Sequence, residues 1–187
     1  ALLDRAECLG NRSVDGTREI LEGLPVHLLD DPERGYYQSE KMTRLAHTAR
    51  LDHGADWVVP FDADEWWYSP HGRIGDVLDD VTAWPVVTAE LYDHVATGVD
   101  VLELSPVHSM GWRRREPAPL PKVACRAAAD LVIEQGNHGA HYDAHAPQTP
   151  GLVVRHFPYR SPEQFARKAI NGAEAYAATD LPDDIGR

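Results

Sequence analysis

The chain has 187 residues, 43% of them hydrophobic and 26% charged, the size and balance of one globular domain with a sizeable core. Its formal net charge of −12 argues against broad nucleic-acid binding, which needs a basic footprint, and any anionic ligand would require a metal or a local cationic cluster. No apolar run approaches membrane-spanning length and no secretory signal is visible, so the expectation is a cytoplasmic protein without a transmembrane segment, able at most to sit at a membrane surface.

The first residues, Ala1 to Asp4, include no initiator Met, so the chain reads as a fragment or a processed product. Asp15 can cap a helix over residues 17–24, with Ile20, Leu21 and Leu24 on one face. Residues 26–29 form a short strand candidate. A longer helix is expected over 37–51, where Met42, Leu45, Ala46 and Ala49 recur at helical spacing and Gly54 supplies the stop. Residues 57–61 read as a buried strand that loses its pairing at Pro60, which has no N–H to give. This β-α-β order favours a mostly parallel sheet, with ligands gathered beyond the carboxyl ends of its strands. Further on, Ile74, Val77, Leu78 and Val81 mark a short helix. Strands are expected at 86–92, 123–127, 131–134 and 152–157. Ser161-Pro162-Glu163-Gln164 is a capping box that opens a last helix carrying Phe165, Ala169, Ala173 and Tyr176. Cys8 and Cys125 are too far apart in sequence for a metal knuckle or a redox pair.

The richest stretch is Val58-Val59-Pro60-Phe61-Asp62-Ala63-Asp64-Glu65-Trp66-Trp67. In an extended chain, residues two apart point the same way, so Asp62 and Asp64 are expected to project together from a strand end. Carboxylates this close repel unless a cation sits among them, and all-oxygen ligands suit Mg²⁺ or Mn²⁺. The tryptophans would wall such a site. The plain alternative is a solvated acidic turn.

Four segments in order resemble one family. Asn11-Arg12-Ser13-Val14-Asp15-Gly16-Thr17 before a helix is similar to the early nucleotide-binding segment of family 2 glycosyltransferases. Asp62-Ala63-Asp64-Glu65 resembles their metal-binding acidic motif, in the subgroup that continues with an aromatic pair. Gln135-Gly136-Asn137-His138 and His156-Phe157-Pro158-Tyr159-Arg160-Ser161 resemble the same subgroup. The resemblance runs from about Asn11 to the C-terminus in a single domain. It implies a GT-A fold, a nucleotide-sugar donor, a divalent metal and inversion at the transferred sugar. It makes Asp64 a direct metal ligand, Asp62 a ribose contact or a ligand through water, and His156 a further ligand that completes the shell. Glu65 becomes a support or a turn cap. Two features depart from the family pattern. The first strand, which normally precedes the early acidic segment, is not evident, so the N-terminus reads as truncated. Gly10 also stands where many relatives carry Asp.

Other residues have two open readings. Arg113, Arg114 and Arg115 can clamp a diphosphate, since guanidinium groups bind phosphate bidentately, or form a solvated loop. Arg160 and Lys168 flank a helix start, which favours anions, or are surface charges. Asp15 touches the nucleotide, caps its helix, or does both. His156 is a metal ligand or a strand histidine bonded to backbone. Lys122 and Arg126 alternate on a strand and face a cleft or solvent. The base that deprotonates an acceptor hydroxyl is sought among Asp93, Glu116, His138, His141 and Asp143, with Asp143 and Asp93 preferred. The acceptor itself, whether glycan, lipid or small molecule, is not specified. Two competing expectations stand beside transfer. One is a truncated or non-catalytic nucleotide-sugar-binding module. The other is a metal-dependent phosphoesterase, for which an early Asp-x-His and a late Gly-His-x-His are missing.

Overall fold

The structure is a computed structural model and describes residues 7–10, 16–97 and 105–182. It is a mixed α/β arrangement. In chain order the strands are β1 (Glu7–Gly10), β2 (His27–Asp30), β3 (Trp57–Val58), β4 (Glu65–Tyr68), β5 (Val86–Asp93), β6 (Lys122–Arg126), β7 (Val132–Ile133), β8 (Ala140–His141) and β9 (Gln148–His156). The helices are α1 (Thr17–Glu22), α2 (Gln38–His53), α3 (Ile74–Asp80), α4 (Pro106–Ser109) and α5 (Pro162–Ala177), with a 3₁₀ turn at Gln135–Asn137.

Five strands form the main sheet in the order β3-β6-β5-β9-β4. Only β5–β9 is a parallel pair among its four pairings. This corrects the expectation of a mostly parallel sheet. The reason lies in the connections. β6 runs antiparallel to β5 although a long excursion joins them, and β4 turns back along β9 after the acidic segment. The other parallel pair is β1–β2, with Glu7 opposite His27. β1 supplies a strand ahead of residues 11–15, where none was evident in the sequence. Asp15, expected as cap and nucleotide contact, lies outside the described residues. α1 begins after Gly16, whose φ of 83° is left-handed. No residue of α1 is buried and Ile20 is exposed, so the apolar face read from its sequence does not pack among the described residues.

The sheet carries a core on each face. Val87, Ala89 and Leu91 of β5 and Leu152 and Val154 of β9 pack with Trp67 under Ile74 and Leu78 of α3. Val86, Val123 and Cys125 pack with Leu131, Ile133 and Ala46 of α2 on the other side. Burial on both faces explains why β5 and β6 read as nearly continuous apolar runs. α2 is also tied down by polar contacts. Ile133 donates its N–H to Thr43 Oγ1 at 2.9 Å, and His47 Nε2 lies 2.9 Å from the Leu131 carbonyl. The helix stops at Gly54, which adopts φ 63°, a conformation glycine takes without Cβ strain. Among the described residues no helix is long and apolar enough to cross a membrane.

The strand order also fixes the path of the acidic segment. β3 and β4 are the outermost strands, so residues 59–64 must cross the ends of the three strands between them. Four strand spacings come to about 19 Å and seven extended residue steps to about 23 Å, so this short segment suffices. Because β6 is antiparallel to β5, the edge it crosses holds the first residue of β6 (Lys122) and the last residues of β5 (Asp93) and β9 (His156).

Candidate functional site

The acidic segment meets a different strand end with each carboxylate. After Val58 the chain leaves the sheet, passes Pro60 and turns at Ala63 and Asp64, and Glu65 N–H donates to the Asp62 carbonyl at 3.0 Å. The turn breaks the two-residue alternation, so Asp62 and Asp64 do not project together as expected for an extended chain.

Asp62 points to the β6 and α2 side. Its Oδ2 lies 2.8 Å from Lys122 Nζ, and its Oδ1 accepts from Gln38 Nε2 at 2.8 Å. A longer contact of 3.5 Å joins Oδ1 to Asn137 Nδ2. Lys122 is 4% exposed. Its ammonium also donates to the Gly136 carbonyl at 2.8 Å and pairs with Glu65 Oε1 at 2.8 Å. The Glu65 side chain has no exposed surface. Its Oε2 accepts from Trp67 Nε1 at 3.0 Å and from the Asp62 N–H at 3.2 Å. Burial raises the Glu65 pKa, Lys122 opposes that rise and Asp62 adds to it. Burial opposes the charge on Lys122, but Glu65 and Asp62 outweigh it and raise its pKa. The Gly136–Asn137 corner is left-handed at both residues, with φ 76° and 59°. Asn137 is fully buried, and its Oδ1 has no hydrogen-bond partner.

Asp64 points the other way. Its Oδ2 accepts from Lys168 Nζ of α5 at 2.7 Å and lies 3.7 Å from His156 Nε2. His156 Nδ1 sits 2.8 Å from Asp93 Oδ1, and Arg114 approaches Asp93 Oδ2 at 3.6 Å. Burial opposes ionisation of Asp64, but His156 and Lys168 prevail and hold its carboxyl well below the usual carboxylate range. Burial likewise opposes protonation of His156, and Asp64 and Asp93 overcome it and raise its pKa. The backbone locks this half in place, since Phe157 N–H donates to the Asp64 carbonyl at 2.8 Å and His94 N–H to the His156 carbonyl at 2.7 Å.

The structure therefore brings together Asp62, Asp64, Glu65, Asp93, Arg114, Lys122, His156 and Lys168. Arg113 instead lies over the Tyr92 ring, 3.8 Å from its centroid. Arg115 is exposed beside Glu116, at 3.7 Å. Arg160 is exposed at the entrance to α5. Asp143 is not with the cluster. Its N–H bonds to Asp130, and the neighbouring Tyr142 hydroxyl bonds to the Arg126 carbonyl, at the end of β6 opposite Lys122. Arg126 stacks over Trp57 at 4.6 Å. His138 bonds the Pro121 carbonyl and His141 pairs with Glu134. Trp67 is buried in the core, whereas Trp66 is 47% exposed, so they do not jointly wall the site. Gln38 carries no local signal that would place it at the site, whereas Asn137 belongs to the Gln135-Gly136-Asn137-His138 segment singled out in the sequence. For Lys122 the sequence leaves cleft and solvent both open, because nothing local announces a buried ammonium.

Among the described residues, no group of three or more His, Cys, Asp or Glu is arranged to hold a metal. A two-ligand site with the rest of the shell from ligand and water does fit the chemistry present. Asp64 offers a carboxylate oxygen and His156 an imidazole nitrogen, a donor pair suited to Mn²⁺. The bond from His156 Nδ1 to Asp93 is the carboxylate–histidine arrangement that orients ligating imidazoles. Lys168 already places a positive charge against Asp64. No protein-family model matches the chain, and no curated protein matches it.

Proposed function

We propose that the chain is a metal-dependent glycosyltransferase of the GT-A type, moving a sugar from a nucleotide-diphosphate donor to a hydroxyl acceptor with inversion. The observation that carries this reading is the convergence of Asp64, His156 and Asp93 with the cations Lys168 and Arg114 at one edge of the sheet. An edge where several strands end is where ligands of α/β sheets gather. A divalent cation, when bound, supplies charge that stabilises the diphosphate leaving group. Asp64 and His156 would hold it. Asp93 fixes the proton of His156 at Nδ1 and leaves Nε2 for the cation. Lys168 and Arg114 bring positive charge to a chain whose net charge of −12 otherwise repels a diphosphate. A cytoplasmic location goes with this reading.

One observation favours a second reading, a nucleotide-sugar-binding module without turnover. Of the two preferred bases, Asp143 lies away from the cluster, and Asp93 has one oxygen bonded to His156 and the other facing Arg114. The two readings separate in an assay of nucleoside diphosphate release with Mn²⁺, nucleotide sugars and a panel of hydroxyl acceptors. Transfer requires acceptor-dependent release. Acceptor-independent release means hydrolysis. Binding without release supports the module.

A further inference from the structure

We infer that Lys122 is a positioning residue that divides the labour of the two aspartates: it pins Asp62 into the framework, so that Asp64 is the carboxylate left to face a cation. This rests on the proposed function for its purpose, but the pinning itself stands on geometry alone. Lys122 is the first residue of β6, a central strand buried on both faces, so its backbone is among the most firmly held in the molecule. It donates hydrogen bonds to Asp62 Oδ2 and the Gly136 carbonyl and forms an ion pair with Glu65 Oε1, each at 2.8 Å. A buried ammonium held by three such contacts is a fixed point, not a mobile surface charge. It joins the acidic segment, where it runs into β4, to the left-handed corner at Gly136 and Asn137. Gln38 secures the remaining oxygen of Asp62 from α2. Asp62 is thus committed to protein partners. Asp64, two residues on, meets only side chains that a metal and a diphosphate could recruit, namely the half-exposed Lys168 and His156.

The test uses a charge-matched double variant, Lys122→Met with Glu65→Gln. Two carboxylates and one ammonium become one carboxylate, so the cluster keeps a net charge of −1 while the pin is removed. The amide that replaces the Glu65 carboxylate retains a side-chain oxygen for the Trp67 and Asp62 N–H groups. Two readouts are compared with wild type: backbone hydrogen exchange over residues 61–66, and binding of UDP and GDP with Mn²⁺ by calorimetry. The inference expects a folded variant in which exchange over 61–66 accelerates by about tenfold or more relative to β5 and β9. It expects Mn²⁺-dependent nucleotide binding to weaken by about 10- to 100-fold, the usual cost of losing a residue that orients a metal site. Unchanged exchange overturns the inference, because Lys122 would then only balance charge. Accelerated exchange with undiminished nucleotide binding also overturns it, because the placement of Asp62 would not serve the site. A wild type that binds neither nucleotide with Mn²⁺ sinks the glycosyltransferase reading instead, and the exchange comparison still decides whether Lys122 pins Asp62.

Discussion

Lys122→Met alone is expected to be among the most damaging single substitutions in the protein. It removes a buried ammonium and leaves two carboxylates facing each other. Each lies 2.8 Å from the same nitrogen, so their oxygens are no more than about 5.6 Å apart, where two unit charges repel by about 3 kcal/mol at an effective dielectric near 20. The Glu65 side chain has no exposed surface, so solvent cannot take over the lost contacts. Breaking a buried pair in this way costs about 3–5 kcal/mol, which in a protein of this length lowers the melting temperature by roughly 6–20 °C. The loss has a pH signature. The Glu65 pKa is already raised by burial, and without Lys122 it rises further. A carboxyl with a raised folded pKa contributes stability below its unfolded pKa and loses it as pH rises through the folded value. The gap between wild type and Lys122→Met therefore widens from acid to neutral pH. Calorimetric melting of both proteins from pH 4.5 to 8 measures it. A variant that melts within a degree of wild type at pH 7.5, or a gap that does not shrink on acidification, would refute the buried three-way pairing.

Lys168→Met removes a half-exposed ammonium that competes for Asp64. It should tighten Mn²⁺ binding to the free protein by several-fold, about 1 kcal/mol or less for such a pair, and weaken nucleoside diphosphate binding in the presence of Mn²⁺; calorimetry of each ligand checks both signs. The depressed pKa of Asp64 contributes stability that is complete above the unfolded carboxylate value of about 4 and is lost as pH falls through the lower folded value. Asp64→Asn should accordingly show a shallower acid dependence of melting below about pH 4 than wild type. Cys125 is fully buried and its thiol is pushed up to about 12 by burial, so in a Cys8→Ser background it should resist thiol reagents until the protein unfolds, read as label incorporated against denaturant.

The local elements were legible in the sequence where one segment carries its own signal. The 3.6-residue spacing and Gly54 mark α2 and the Ser161 box marks α5, whereas β3 stops pairing at Val58, short of Pro60 and of the 57–61 expected. Ile74 and Leu78 were readable as a buried stripe because both face the core from α3. Strand direction was not legible. It depends on how the long excursion between β5 and β6 returns, and no local pattern encodes that. β4 was hidden for a different reason. Trp66 and Trp67 read as the wall of a site, whereas they belong to an edge strand with Trp67 turned into the core and Trp66 turned out. At the site, the chemistry of the acidic triplet was readable but not its partners. Close carboxylates demand cations, and the structure answers with two of the chain's own, Lys122 from 57 residues beyond Glu65 and Lys168 from 104 residues beyond Asp64. Such long-range pairing exists only once the sheet is assembled. It also reverses one expectation: Asp64 is favourably paired with His156 and Lys168, so removing its charge should cost stability in the metal-free protein and bring no relief from repulsion.

The most direct test of the central claim is the melting shift produced by Mn²⁺ with a nucleoside diphosphate, measured side by side on wild type and Asp64→Asn. Binding to the folded state at about 100 times Kd adds about 2.7 kcal/mol, a rise of roughly 5–10 °C for a chain of this length. The account predicts that rise for wild type, only with metal and nucleotide together, and little or none for Asp64→Asn, which still folds. Equal shifts in the two proteins would contradict it and reduce the acidic segment to a structural crossing held by lysines.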